Sequence, residues 1–158
     1  GFTEFVPLPY VPMEAPMYLK GKSRRGPSFR EAILMHSVSR IAFKGLINNI
    51  QTSWVKMGQE GVQACLNAGA NDIGGTLMNE SITRAAGADH GQEWHPQGIE
   101  ETIISMGRKP KMRTTSYDEA PQSRRELAFR ASTLKQVENT AAAKLQRSKK
   151  LDNIAQVL

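Results

Sequence analysis

The chain is 158 residues long with a formal net charge of +6, enough length for one domain with a core of its own. No run reaches the ~18 consecutive apolar residues of a membrane span, and the single cysteine, Cys65, excludes a disulfide within the chain. The charge is lopsided. Residues 122–158 hold eight Lys and Arg against three Asp and Glu, whereas residues 1–121 hold thirteen against twelve. A nearly neutral body argues against nucleic-acid binding. These features fit a soluble, cytoplasmic protein in a reducing compartment.

Taken in order, Phe2–Pro9 reads as a strand that stops at Pro7 and Pro9, because proline has no ladder donor. With a strand so close to Gly1 and no initiator Met or leader, the chain is expected to be the middle or end of something longer. Tyr10–Pro27 is a long loop with Lys20, Lys22, Arg24 and Arg25, a solvated basic loop in the simpler reading and an anion-binding one in the other. Ser28 and Glu31 form a capping-box pattern, opening a helix whose stripe runs from Phe29 to Phe43 and ends at Gly45. His36 lies in that stripe and reads as a packed core histidine. Residues 48–55 are expected to form a second strand, with Ile50, Thr52 and Trp54 on one face and Gln51, Ser53 and Val55 on the other. A helix over about 58–68 carries Val62, Cys65 and Leu66, with Cys65 as a small core hydrophobe. The third strand, 71–80, breaks at Gly74-Gly75 and delivers Thr76, Asn79 and Glu80 into a loop.

Residues 79–97 form a loop and short turn with Glu80, Arg84, His90, Glu93 and His95. Pro96 opens a helix of about 96–107. Residues 110–117 are extended, as a last strand or a strap. From Pro121 the chain turns Ala-, Lys-, Arg- and Gln-rich, with apolar residues at helical spacing through Leu158. The order strand–helix–strand–helix–strand–loop–helix–strand predicts an α/β fold with a mostly parallel sheet and right-handed crossovers. Three or so such units do not close a barrel.

No complete metal motif is present. His90 and His95 have zinc-finger histidine spacing but no cysteine pair. Neither a phosphate loop nor a local nucleophile motif occurs. In a βα protein, polar side chains at strand ends are where ligands collect. That points to Asp72 and Thr76 on one strand face, with Glu80 at its end. Glu80, His90, Asp72 and Glu93 are the acid–base candidates. A carboxylate there also serves as a helix cap or a partner for Arg84.

Five stretches carry a resemblance. They are Phe-Thr-Glu-Phe-Val-Pro-Leu-Pro-Tyr (2–10), Ile-Gln-Thr-Ser-Trp-Val-Lys-Met-Gly (50–58), Leu-Asn-Ala-Gly-Ala-Asn-Asp-Ile-Gly-Gly-Thr-Leu-Met-Asn-Glu-Ser-Ile (66–82), Ala-Gly-Ala-Asp-His-Gly (86–91) and Gly-Arg-Lys-Pro-Lys-Met-Arg-Thr-Thr-Ser-Tyr (107–117). Together, over about residues 1–120, they resemble the C-terminal third of the second half of FO synthase, in the radical S-adenosylmethionine group. That group also holds the menaquinone-pathway enzymes. The resemblance implies that residues 1–120 are the last strands and helices of a (β/α) TIM-like barrel, followed by a basic amphipathic helical tail at 121–158. It implies an intact enzyme with a 4Fe-4S cluster and S-adenosylmethionine, which joins the 4-hydroxybenzyl group of tyrosine to 5-amino-6-(D-ribitylamino)uracil. The other FO synthase half would then close the deazaflavin ring. The Cys-xxx-Cys-xx-Cys cluster motif is missing here, so this chain alone is expected to bind no cluster and to be inactive by itself. Glu80 and His90 are the candidates for proton handling. Gln51, Ser53, Asp72, Gly74, Gly75, Thr76 and Arg84 are the candidates for substrate binding. A menaquinone-pathway fragment and a non-catalytic binding protein descended from a truncated barrel are the competing readings.

Overall fold

The computed structural model describes residues 1–77, 79–88 and 90–135. Among these are two short strands, β1 (Glu4–Phe5) and β2 (Asn49–Ile50), and six helices. The helices are α1 (Pro16–Leu19), α2 (Phe29–Ala42), α3 (Trp54–Asn67), α4 (Ile82–Ala85), α5 (Pro96–Ser105) and α6 (Gln122–Arg130). The expected α/β arrangement is present. β1 and β2 pair in parallel, with Glu4 opposite Asn49 and Phe5 opposite Ile50. Gln51 then bridges Asp72, also in parallel. Three extended segments thus lie side by side, with α2 connecting the first to the second and α3 the second to the third.

All three segments are shorter than the expected strands at 2–9, 48–55 and 71–80. Pro7 and Pro9 lack N–H groups and end the first. The second ends because α3 begins at Trp54 rather than about residue 58, leaving Ser53 in its extended N-cap conformation. The third is reduced to its bridge at Asp72. Gly74 at φ 82°, Leu77 at 52° and Asn79 at 60° turn the backbone out of the extended region. Residues 110–117 prove to be a strap. Arg113 bridges Glu119 in an antiparallel turn, closed by Thr114 N–H to Asp118 O at 2.8 Å and Ala120 N–H to Met112 O at 3.0 Å.

Alternation gives the small sheet two unlike faces. Phe5, Ile50 and Ile73 point to the helices. Phe5 meets Phe43, just beyond α2, with the rings tilted by 58°, Ile50 is fully buried, and Ile73 joins Trp54, Val55, Val62, Cys65 and Leu66 in the core. Ile99 and Ile103 of α5 and Ile33 of α2 pack against that cluster. Glu4, Asn49, Gln51 and Asp72 share the opposite face.

The capping box of α2 is formed as expected. Ser28 accepts from Glu31 N–H, and the Glu31 carboxylate accepts from Ser28 N–H. The stripe behind it departs from expectation. The buried residues are Ala32, His36 and Ser39, while Phe29, Met35, Val38 and Ile41 stand exposed. Ala32 and Ser39 are small, and with the larger His36 they form the buried face that α2 turns to α3 and β2. His36 is the packed histidine expected, with its Nδ1 meeting the Ala32 carbonyl at 2.8 Å and Cys65 Sγ at 3.5 Å. α6 rests on α5 through Arg125, whose Nη2 donates to both Glu100 oxygens at 2.6 and 2.7 Å. The expected helical tail beyond residue 135 lies outside the described residues.

Candidate functional site

The polar face of the three extended segments is met by two side chains from the strap, Arg113 and Tyr117. Arg113 donates through Nε to Asp72 Oδ2 at 2.5 Å and through Nη2 to Gln51 Oε1 at 3.2 Å. The same Nη2 lies 3.9 Å from the Glu4 carboxylate, and the guanidinium stacks on the Tyr117 ring at 4.1 Å. Tyr117 in turn donates its hydroxyl hydrogen to Glu4. Burial works against the Arg113 charge, but Asp72, Tyr117 and Glu4 outweigh it and leave its pKa raised. Tyr117 is also pushed up, by burial first and then by Glu4 and Asp72, so its phenol stays protonated well above its ordinary range.

Both Asp72 oxygens are engaged in this arrangement. Its Oδ1 accepts the Gly74 N–H at 2.7 Å while Oδ2 holds Arg113. Its carboxylate therefore fixes both the Gly74 turn and the strap. Gly74 lies directly against the Gln51 amide, where an added Cβ would stand 2.9 Å from Nε2. Beyond it, the Gly75 carbonyl accepts from Trp54 Nε1 at 2.9 Å, and the Thr76 carbonyl accepts from Trp94 N–H at 3.2 Å. The two tryptophans meet edge to face, 6.2 Å between centroids. Gly75 and Thr76 thus form the backbone rim beside an indole pair.

The remaining candidates have other supports. Ser53 is buried at the start of α3, and its carbonyl accepts from Met57 N–H at 3.0 Å. Glu80 Oε1 accepts the Thr83 N–H at 3.0 Å, capping the turn of α4, while Oε2 is buried with no partner among the described residues. Arg84 folds back, donating from Nε to the Glu80 carbonyl at 2.8 Å. His90 lies against Gly58, the kink in α3, where φ is 67°. His95 caps α5 by accepting from Gln97 N–H and bonds the Ala131 carbonyl through Nε2. The two histidines therefore have different local contacts. Among the described residues no group of three His, Cys, Asp or Glu side chains is placed to hold a metal ion.

Of the sequence candidates, Gln51, Asp72 and Gly74 come together in one cluster, and Glu80 and Arg84 in another. Sequence reasoning missed Arg113, Glu4 and Tyr117. A basic, aromatic strap opposite a polar strand face was the available signal. A cleft of ≈ 520 Å³, lined by Leu8, Tyr10, Glu14, Lys56 and Ala85 among others, also went unnoticed.

The fold is α/β, with polar side chains gathered on one face of its parallel extended segments. Residues 1–127 match the family model described as the CofH/MqnC C-terminal region, and the chain belongs to that family. It is 52% identical over 117 residues to the 5-amino-6-(D-ribitylamino)uracil--L-tyrosine 4-hydroxyphenyl transferase of Methanocaldococcus jannaschii, covering 74% of this chain and 33% of the relative. A transferase of the same name from Methanopyrus kandleri is 51% identical over 118 residues, 75% of this chain and 32% of the relative. FO synthase of Mycobacterium leprae is 49% identical over 117 residues, 74% of this chain and 14% of the relative. The chain therefore spans about a third of the transferases it matches, 33% and 32%. No helix among the described residues is long and apolar enough to cross a membrane.

Proposed function

We propose that this chain is the C-terminal part of a radical S-adenosylmethionine transferase of deazaflavin biosynthesis. The whole enzyme joins the 4-hydroxybenzyl group of tyrosine to 5-amino-6-(D-ribitylamino)uracil, and the other FO synthase half acts on the product. The observation that carries this reading is the cluster of Gln51, Asp72 and Arg113 on a parallel sheet face, in a region about half identical to transferases of that name. In a (β/α) barrel the face turned away from the helices looks inward, and chemistry collects at the strand ends. The polar face of β1, β2 and the Asp72 segment is then a wall of the substrate cavity. Gly74, Gly75 and Thr76 lie at its rim, with Ser53 at the start of α3, Arg84 in α4, and Glu80 and His90 in the segments beside it.

The residues of this chain do not fit a 4Fe-4S cluster. Such a cluster takes several thiolates. The chain has one cysteine, fully buried beside His36 and with its thiol pushed up in pKa by burial against a smaller opposing effect of Thr52. The cluster and S-adenosylmethionine belong to other parts of the intact enzyme. This region contributes binding and orientation.

The test is anaerobic reconstitution of the full-length enzyme carrying this region, followed by incubation with S-adenosylmethionine, tyrosine and the diaminouracil. The coupled product is expected. Cleavage of S-adenosylmethionine with tyrosine left intact would show that the substrate assignment is wrong.

A further inference from the structure

A guanidinium has only N–H groups to offer, so the Gln51 atom it meets is the carbonyl Oε1. That contact decides how the amide is turned. The two N–H donors of Nε2 face the other way, over Gly74. No acceptor takes them among the described residues. Gly74 lacks a side chain for two reasons: its φ of 82°, and the amide that any Cβ would strike. Arg113 is itself well occupied. Nε is held by Asp72, Nη1 by the Thr114 carbonyl at 3.0 Å, and Nη2 by Gln51 with Glu4 close by.

We propose that Arg113 is a positioning residue that holds the Gln51 amide with its Nε2 donors presented to a ring carbonyl of the pyrimidine substrate. This rests on the functional reading above. Glu4 and Asp72 carry two formal negative charges against one on Arg113, so a substrate carboxylate is disfavoured at this face. A neutral carbonyl accepts from a neutral amide without that repulsion. Asp72 and Glu4 anchor Arg113, Arg113 turns Gln51, and Gln51 touches the substrate.

Binding tests this without the radical chemistry. The full-length enzyme is titrated calorimetrically with 5-amino-6-(D-ribitylamino)uracil and, separately, with tyrosine. Gln51→Glu keeps an acceptor for Arg113 but removes both amide donors. It is expected to weaken uracil binding about tenfold or more, with tyrosine binding unchanged. Arg113→Lys keeps the charge but loses the fork, and is expected to weaken uracil binding several-fold through a freed amide. The double variant is expected to bind no worse than Gln51→Glu alone, because Arg113 acts through Gln51. Retained tyrosine binding reports that each variant is folded. If uracil binding survives Gln51→Glu, or if the two losses add, the inference is overturned. A wild-type enzyme that binds neither substrate sinks the functional reading and the inference with it. One that binds both, with Gln51→Glu unaffected, sinks the inference alone.

Discussion

Arg113 and Asp72, forty-one positions apart in sequence, meet at 2.5 Å across the polar face of the sheet. Asp72 is only 8% exposed in this pair and Arg113 25%. The contact ties the strap to the third extended segment, and the same carboxylate holds the Gly74 turn.

Asp72→Asn keeps an oxygen for the Gly74 N–H but turns an NH2 toward the Arg113 donors. The guanidinium then loses its nearest counter-charge while still partly buried. The expected cost is about 2 kcal/mol, as for a charged hydrogen bond at a half-buried site. Equilibrium urea unfolding reads it as a lowered midpoint at unchanged slope. A loss below a few tenths would mean that Glu4 alone suffices to hold Arg113.

Tyr117 gives a pH signature. Its folded pKa is raised above the ordinary 10.0, by burial first and by its hydrogen bond to Glu4 second. For a raised value, the stabilisation is fully present below the unfolded pKa and is lost as pH rises through the folded one. Ultraviolet titration should therefore show one tyrosine ionising later than the rest. Tyr117→Phe removes that late step, and Glu4→Gln moves it toward 10.0. A late step that persists in Tyr117→Phe belongs to Tyr10 or Tyr18 instead.

At Gly58 two constraints coincide. The backbone is at φ 67°, and an added Cβ would stand 2.6 Å from His90 Cε1. Gly58→Ala should cost about 2 kcal/mol or more, in part strain from a positive-φ extended backbone that side chains rarely adopt and in part the clash. His90→Ala in the same chain removes only the clash, so the double variant should recover part of the loss and keep about 1 kcal/mol of strain. No recovery would mean that the loop bearing His90 yields freely.

The elements that local chemistry specifies were legible. Ser28 with Glu31, and Pro96 at the first helical position, announce α2 and α5 because caps act within one turn. The strands were overextended for a physical reason. Alternation in Ile50, Thr52 and Trp54 fits a strand, yet Trp54 gains more by opening α3 and placing its indole N–H on the Gly75 carbonyl. The same holds for Gly74-Gly75, which breaks the third strand sooner than its pattern suggests. Gln51 and Asp72 could be found because polar residues stand out in extended runs. Arg113 was missed because its only signal was the basic, aromatic composition of the strap, and an arginine in a loop looks much the same whether it meets water or an aspartate forty-one residues away. The exposed side of α2 was misread because Ala32, His36 and Ser39 take the buried face while Phe29, Met35, Val38 and Ile41 stand exposed.

The capping box at Ser28 offers the cleanest separation of a local contribution from the rest of the fold. Ser28→Ala removes the acceptor for the Glu31 N–H, and an N-cap of this kind contributes about 1 kcal/mol. The Glu31 carboxylate is held below its ordinary value mainly by the Ser28 N–H, then by the Ser28 hydroxyl. For a lowered carboxylate the stabilisation is present above the unfolded pKa and is lost as pH falls through the folded one. The cap should therefore weaken on acidification, with Glu31 titrating below the exposed glutamates in carboxyl-resolved NMR. Ser28→Ala should raise the Glu31 value only partway, because the backbone N–H remains. A full return to 4.5 would mean that the hydroxyl, not the backbone donor, organises the start of α2.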